Sequence, residues 1–106
     1  MSDDHHPQVR DEPEQSRYEV WLDGQLVGFA RYVRRGGRAF FVHTEIDPGH
    51  EGAGLGSALA KGALEAERSL GEPVVPLCPF IRAYIDRHPE YIDIVDRDML
   101  ARIDGE

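Results

Sequence analysis

Ile46-Asp47-Pro48-Gly49-His50-Glu51-Gly52-Ala53-Gly54-Leu55-Gly56-Ser57 is the stretch on which the reading of this chain turns. It begins as the end of a strand, bends through glycines 52, 54 and 56, and opens into a helical pattern. Glycines at such a junction let the backbone approach a ligand and aim several N–H groups at one point. The helix that follows adds the positive end of its dipole, so the junction suits phosphate or pyrophosphate. The loop therefore predicts a phosphorylated cofactor. Spacing excludes two versions of such a loop. A P-loop needs Gly-Lys before Ser or Thr, whereas Ser57 follows Gly56 directly. A dinucleotide fingerprint needs Gly-x-Gly-x-x-Gly within a βαβ unit, and the chain has Gly52-x-Gly54-x-Gly56 after what reads as hairpins.

Upstream of the loop the pattern has period two. Tyr18, Val20 and Leu22 alternate with Arg17, Glu19 and Trp21, as in a strand with two unlike faces. Asp23-Gly24 is a strong hairpin signal, and Gln25 to Arg34 returns as a second strand with Gly28 at a bulge or close approach. Gly36-Gly37 turns the chain into a third strand, Arg38 to Asp47. Simple alternation there puts Phe41, His43 and Glu45 on one face and Val42, Thr44 and Ile46 on the other. Arg31, Arg34, Arg35 and Arg38 gather around the second turn, as a solvated rim or an anion-binding patch.

Downstream, Leu55, Leu59, Ala63, Ala66 and Leu70 recur at helical spacing and Gly71 supplies a stop, which predicts an amphipathic helix of about four turns. Pro73 to Cys78 reads as a short strand. Pro79 opens a second helix, marked by Phe80, Ile81, Tyr84 and Ile85 and ending near His88-Pro89. Tyr91, Ile92, Ile94 and Val95 read as a last strand, and Asp96 to Ile103 as a frayed helix. The fold class is α+β (mixed α/β): an antiparallel meander, a strand-helix-strand crossover and a short helix.

A length of 106 residues allows one domain. Residues 1–15 are polar, acidic and proline-containing and read as a disordered tail, residues 16–96 as the domain, and 97–106 as a C-terminal helix or tail. His5-His6 has no further ligand nearby, so no metal site is expected. No apolar run approaches the ~20 residues of a membrane span, and the N-terminus lacks the basic-then-apolar order of a signal peptide. One cysteine fits a reducing, cytoplasmic setting. The net charge of −8 argues against nucleic-acid binding; it either steers a cationic amine or serves solubility.

Four motifs in order carry a resemblance: His43-Thr44-Glu45, the loop Gly52-Ala53-Gly54-Leu55-Gly56, Cys78-Pro79-Phe80 and His88-Pro89-Glu90-Tyr91. With them the chain resembles the GNAT superfamily of acyl-CoA-dependent N-acetyltransferases, in its short single-domain (YjdJ-type) group, over roughly Tyr18 to Val95. The resemblance implies a mixed sheet in which two adjacent strands splay to admit acetyl-CoA as cosubstrate. Those strands would end at Asp47 and Cys78, with the pantetheine arm between them and the pyrophosphate on the amides of residues 52 to 57. Cofactor contacts would then come from Ile46, Asp47, Gly52, Ala53, Gly54, Leu55, Gly56, Ser57, Cys78, Pro79 and Phe80. The partner would be an amine acceptor, small molecule or protein, and the chain a monomer or weak homodimer. Two departures stand out. The family loop opens with Gln or Arg, and here Glu51 stands at that position. Full-size relatives insert two helices after the first strand, where this chain turns back at Asp23-Gly24, which leaves the acceptor side open.

Acetyl transfer to an amine needs a neutral nucleophile and a stabilised leaving thiolate. A lysine-like amine of pKa ~10.4 is more than about 3 units from neutrality at pH 7, a cost of about 4–5 kcal/mol. A general base relieves this, with contributions of about 10²–10⁴ in rate. By the resemblance the base is His43 or Glu45. Tyr84 is either the acid for the thiolate or a core aromatic. Cys78 is a nucleophile, a contact to the thioester or an inert buried residue. His88 caps a helix end. The other reading of the chain is a catalytically weak acyl-CoA-binding or regulatory module.

Overall fold

The computed structural model describes residues 6–50 and 54–105, and its first strand, β1 (Gln8–Glu12), lies where a disordered tail was expected. It pairs antiparallel with β2 (Arg17–Leu22), Val9 opposite Val20 and Asp11 opposite Tyr18. Two contacts recruit it. Val9 packs on Gly62, where a Cβ would stand 2.6 Å from Val9 Cβ, and Asp11 Oδ1 accepts the Tyr32 hydroxyl at 2.6 Å. Val9 is the one apolar residue in this strand, so its own pattern could not announce it. Residues 1–5 of the expected tail, His5 among them, lie outside the described residues. A single 3-10 turn, Pro13–Gln15, joins β1 to β2. The short connection after the first strand is thus there and not at Asp23-Gly24.

The meander follows as β2, β3 (Gln25–Arg35) and β4 (Arg38–Ile46). Asp23-Gly24 and Gly36-Gly37 hold positive φ at both turn positions, the twist-matched form of a two-residue hairpin. Gly28 lies at a close approach, with Ile46 Cδ1 2.6 Å from where its Cβ would be. The register then slips on β4. Arg31 pairs with His43 but Tyr32 pairs with Phe41, so Val42 is the extra residue of a bulge. The expected alternation therefore fails at this point. Phe41 faces the core beside Tyr32, with ring centroids 6.2 Å apart, while His43 and Glu45 lie opposite Arg31 and Phe29 on the other face.

Helix α1 (Leu55–Leu70) covers one face of the sheet, burying Leu55, Leu59, Ala60, Ala63 and Leu64 against Tyr18, Val20, Ala30 and Phe41. Gly71 ends it as expected, with its N–H and that of Glu72 returning to Arg68 and Glu67 carbonyls. Strand β5 (Val74–Pro76) then pairs parallel with Ala39, Phe40 and Phe41. The sheet order is β1-β2-β3-β4-β5. Helix α2 (Pro79–Arg87) buries Ile81, Tyr84 and Ile85. The last strand expected over Tyr91 to Val95 is instead a 3-10 segment, Pro89–Ile94, and only Val95 bridges to Val74. Side-chain anchors hold this turn: Tyr91 Oη donates to Glu65 at 2.6 Å, and Arg68 reaches Asp93 at 2.7 Å and the Glu90 carbonyl at 2.8 Å. Asp96 caps α3 (Arg97–Gly105) through the Met99 N–H and pairs with Arg38 at 2.6 Å. No helix among the described residues is long and apolar enough to cross a membrane.

Helix α1 is also clamped to the sheet by a buried carboxylate. Glu67 is 0% exposed. Arg34 binds both of its oxygens, at 2.7 and 2.9 Å, and Tyr18 Oη donates to it at 2.6 Å. The arginine cluster is therefore divided, Arg34 and Arg38 being held in ion pairs. Removing one partner of such a pair leaves a charge without compensation in the core. Arg34→Ala is expected to cost about 3–5 kcal/mol in urea unfolding; a loss below about 1 kcal/mol would fit a solvated rim.

Three of the four tyrosines donate to carboxylates, and ionising any of them would set two negative charges together. Burial and then the bond to Asp11 push Tyr32 up to about 12. Burial, followed by Glu67 and Glu65 respectively, raises Tyr18 and Tyr91, and burial raises Tyr84. Unfolded tyrosines ionise near pH ~10, so above that the unfolded chain holds fewer protons than the folded one and stability falls as pH rises. Absorbance at 295 nm should show no tyrosinate in the folded protein at pH 10.5, with the signal appearing on unfolding. A step of normal pKa in the folded protein would contradict this.

Candidate functional site

The β4–β5 ladder stops at the pair Phe41 and Pro76. Leu77 and Cys78 both turn their N–H groups onto the single carbonyl of Phe41, at 3.0 and 2.8 Å, and β4 runs on to Ile46 without β5. Near the end of β4 lies a cavity of about 430 Å³, lined by Thr44, Ile46, His50, the first turn of α1 (Gly54, Leu55, Gly56, Ser57) and Phe80 of α2. The bulge at Val42 is what turns Thr44 toward α1, opposite Ala30 of the core face.

The first turn of α1 faces this cavity with its backbone. Among the described residues, the bonding of α1 begins with the Ala58 N–H on the carbonyl of Gly54 at 3.1 Å. No side chain among the described residues caps the helix, whose N-cap is Gly54 at φ 75°. The N–H groups of Leu55, Gly56 and Ser57, with the helix dipole behind them, make the cavity attractive to an anion. Gly56 has a second task. A Cβ there would meet Phe80 Cζ at 2.6 Å, so only glycine lets the start of α2 close against the start of α1.

Of the residues expected to hold a cofactor, Ile46, Gly54, Leu55, Gly56, Ser57 and Phe80 line this cavity. Gly52 and Ala53, with Glu51, lie outside the described residues. Asp47 fixes the turn after β4, its N–H bonded to Val27 and its carbonyl to the His50 N–H. Pro79 occupies the first turn of α2. Cys78 is buried, with Sγ 3.3 Å from Thr44 Oγ1, so it joins β4 to the start of α2 rather than lining the cavity. Sequence patterns do not mark two of the lining residues: alternation assigns Thr44 only to a strand face, and His50 sits inside the decisive stretch without a spacing signal. His50 Nδ1 is buried with no partner among the described residues.

The candidates for proton transfer lie apart from the cavity lining. His43 Nε2 is 3.0 Å from Glu45 Oε2, and both side chains are exposed on the face of β4 away from α1. Phe29 packs 6.2 Å from the His43 ring. Tyr84 lies one turn beyond Phe80, stacked on His88 at 3.9 Å, and burial holds its pKa up. The His88 ring, with Nδ1 2.9 Å from the Tyr84 carbonyl, caps the end of α2.

Comparison with known proteins agrees with this architecture. Residues 17–94 match the family described as GCN5-related N-acetyl-transferase. A search of curated proteins gave no significant match. Among solved structures, a ribosomal-protein-alanine N-acetyltransferase from Brucella melitensis biovar Abortus 2308 is 22% identical, with a TM-score of 0.50 over 74% of this chain and 60% of its own. That likeness shows a shared fold. A GCN5-related N-acetyltransferase from Kribbella flavida is 29% identical, with a TM-score of 0.47, over 55% of this chain and 17% of its own. An aminoglycoside acetyltransferase from an uncultured soil metagenomic sample, solved with trehalose, is 12% identical, with a TM-score of 0.47 over 71% of this chain and 55% of its own. The chain thus spans no more than 60% of the length of any of these three. The family match covers most of the sequence and every element that builds the cavity, and the chain belongs to the GCN5-related N-acetyltransferases.

Proposed function

We propose that this protein binds acetyl-CoA in the cavity and transfers the acetyl group to an amine presented on the open face of the sheet. The parting of β4 from β5 beyond Phe41, with the start of α1 lining the opening, is the observation that carries this reading. The amides of Leu55, Gly56 and Ser57 are suited to a diphosphate, and the edge of β4 released by β5 suits the amides of a pantetheine arm, as one strand accepts another. The thioester supplies an activated acyl carbon. The chain supplies position and proton transfer. The exposed His43–Glu45 pair is proposed to attract the ammonium and take its proton, opposite the cavity across the same strand. Tyr84, whose pKa burial raises, is the proposed acid for the thiolate. Cys78, held against Thr44, is proposed as a structural tie with no covalent part in the reaction.

A catalytically weak acyl-CoA-binding module is the second reading, favoured by the single turn that joins β1 to β2 in place of longer acceptor-side structure. Binding and turnover separate the two. Acetyl-CoA and CoA at about 100 times their dissociation constant should stabilise the protein by about 2.7 kcal/mol, and ATP and NAD should not. Gly56→Val, which drives Phe80 from the first turn of α1, should abolish that shift. A protein stabilised by CoA whose thiol release is indifferent to added amines would be a binder. With turnover established, Glu45→Gln or His43→Ala should lower kcat by about 10²–10⁴, and Cys78→Ala should leave it within about twofold. A Cys78→Ala variant without turnover but with intact folding would restore the nucleophile.

A further inference from the structure

The bulge at Val42 gives the open face of the sheet a second feature beside the His43–Glu45 pair. Val33 and Phe40 pair across β3 and β4 on this face, and with Val42 and Leu77 they line an apolar groove of about 260 Å³ that ends at Arg35. Val33 and Val42, which line it, are 43% and 37% exposed. The groove starts where β5 leaves β4, since Leu77 is the first residue past the last paired position. It lies next along β4 from His43, so an amine held by that pair has its remainder over Val42, Phe40 and Val33.

Resting on the transferase reading above, we infer that the acceptor is a primary amine with an extended apolar body and an anionic group at its far end. The amine sits at His43–Glu45, the body covers the groove and the anion meets Arg35. Charge decides the polarity of this arrangement. Both ends carry an arginine, Arg31 over the Phe29 ring and Arg35 at the groove's end. The His43 end also carries the Glu45 carboxylate, so the ammonium sits there, and the Arg35 end attracts a carboxylate and opposes a second cation. Arg31, opposite His43, and Arg35 are four residues apart on β3, about 13 Å at ~3.3 Å per residue. That span matches an alkyl chain of about eight carbons once the arginine side chain reaches inward. The same features disfavour polyamines, whose second ammonium would lie on Arg35.

Acceptors with the same body and different far ends test this: octylamine, 8-aminooctanoate and 1,8-diaminooctane, with ethylamine as the short control, each at saturating acetyl-CoA. In kcat/KM, octylamine should exceed ethylamine by about 50-fold, from partial burial of the added methylenes. 8-Aminooctanoate should exceed 1,8-diaminooctane by about fivefold, the size of an exposed charge contact. Arg35→Glu, a change at an exposed hairpin end, should reverse that second order through KM. An unchanged order in Arg35→Glu, equal use of ethylamine, or preference for the diamine would each overturn the assignment while leaving the transferase reading intact. Turnover with none of these or any other amine would overturn both.

Discussion

A parallel ladder that ends after three pairs governs the rest of this molecule. Had β5 followed β4 to Ile46, the backbone edge of β4 would be closed and the first turn of α1 would face a filled seam. Instead one carbonyl, Phe41, takes two N–H groups and the strands separate. One residue later the bulge at Val42 exchanges the faces of β4, sending Thr44 toward the cavity and His43 and Glu45 toward the opposite side. A single strand thereby borders an opening of about 430 Å³ on one face and carries the His43–Glu45 pair on the other.

Such an opening removes contacts, and the compensating ones are found on either side of it. The buried Glu67, with Arg34 and Tyr18, fixes the C-terminal half of α1 to the sheet. Val9 seated on Gly62 holds the middle of the helix. Phe80 against Gly56 and Cys78 against Thr44 hold the two helix starts around the cavity itself. The glycines of the decisive stretch therefore serve different ends. Gly54 turns the chain into the helix, whereas Gly56 makes room for another side chain.

Elements whose signal is local were legible in the sequence. Asp23-Gly24, Gly36-Gly37, the helix ended by Gly71 and the helix opened by Pro79 all stand where their turn and cap chemistry put them. Features that depend on a distant partner were not. Gln8–Glu12 carries one apolar residue, and its pairing is decided by Gly62 and Tyr32. Val42 is an ordinary strand residue, so nothing in the run Phe40 to Ile46 discloses the extra position that separates Phe41 from His43. Arg34 looks like its exposed neighbours until Glu67 arrives from α1 at 2.7 Å. Tyr91 and its neighbours have strand-like composition, but the bonds of Tyr91 to Glu65 and of Arg68 to Asp93 fold them into a turn.

The opening beyond Phe41 is the proposed seat of CoA. Backbone amide NMR shifts recorded during titration with CoA address it residue by residue. The largest changes should fall on Gly54, Leu55, Gly56 and Ser57 and along Val42 to Ile46, with β1 and the Asp23-Gly24 turn unmoved. Changes centred elsewhere, for example on the groove beside Arg68, Glu72 and Asp93, would contradict it.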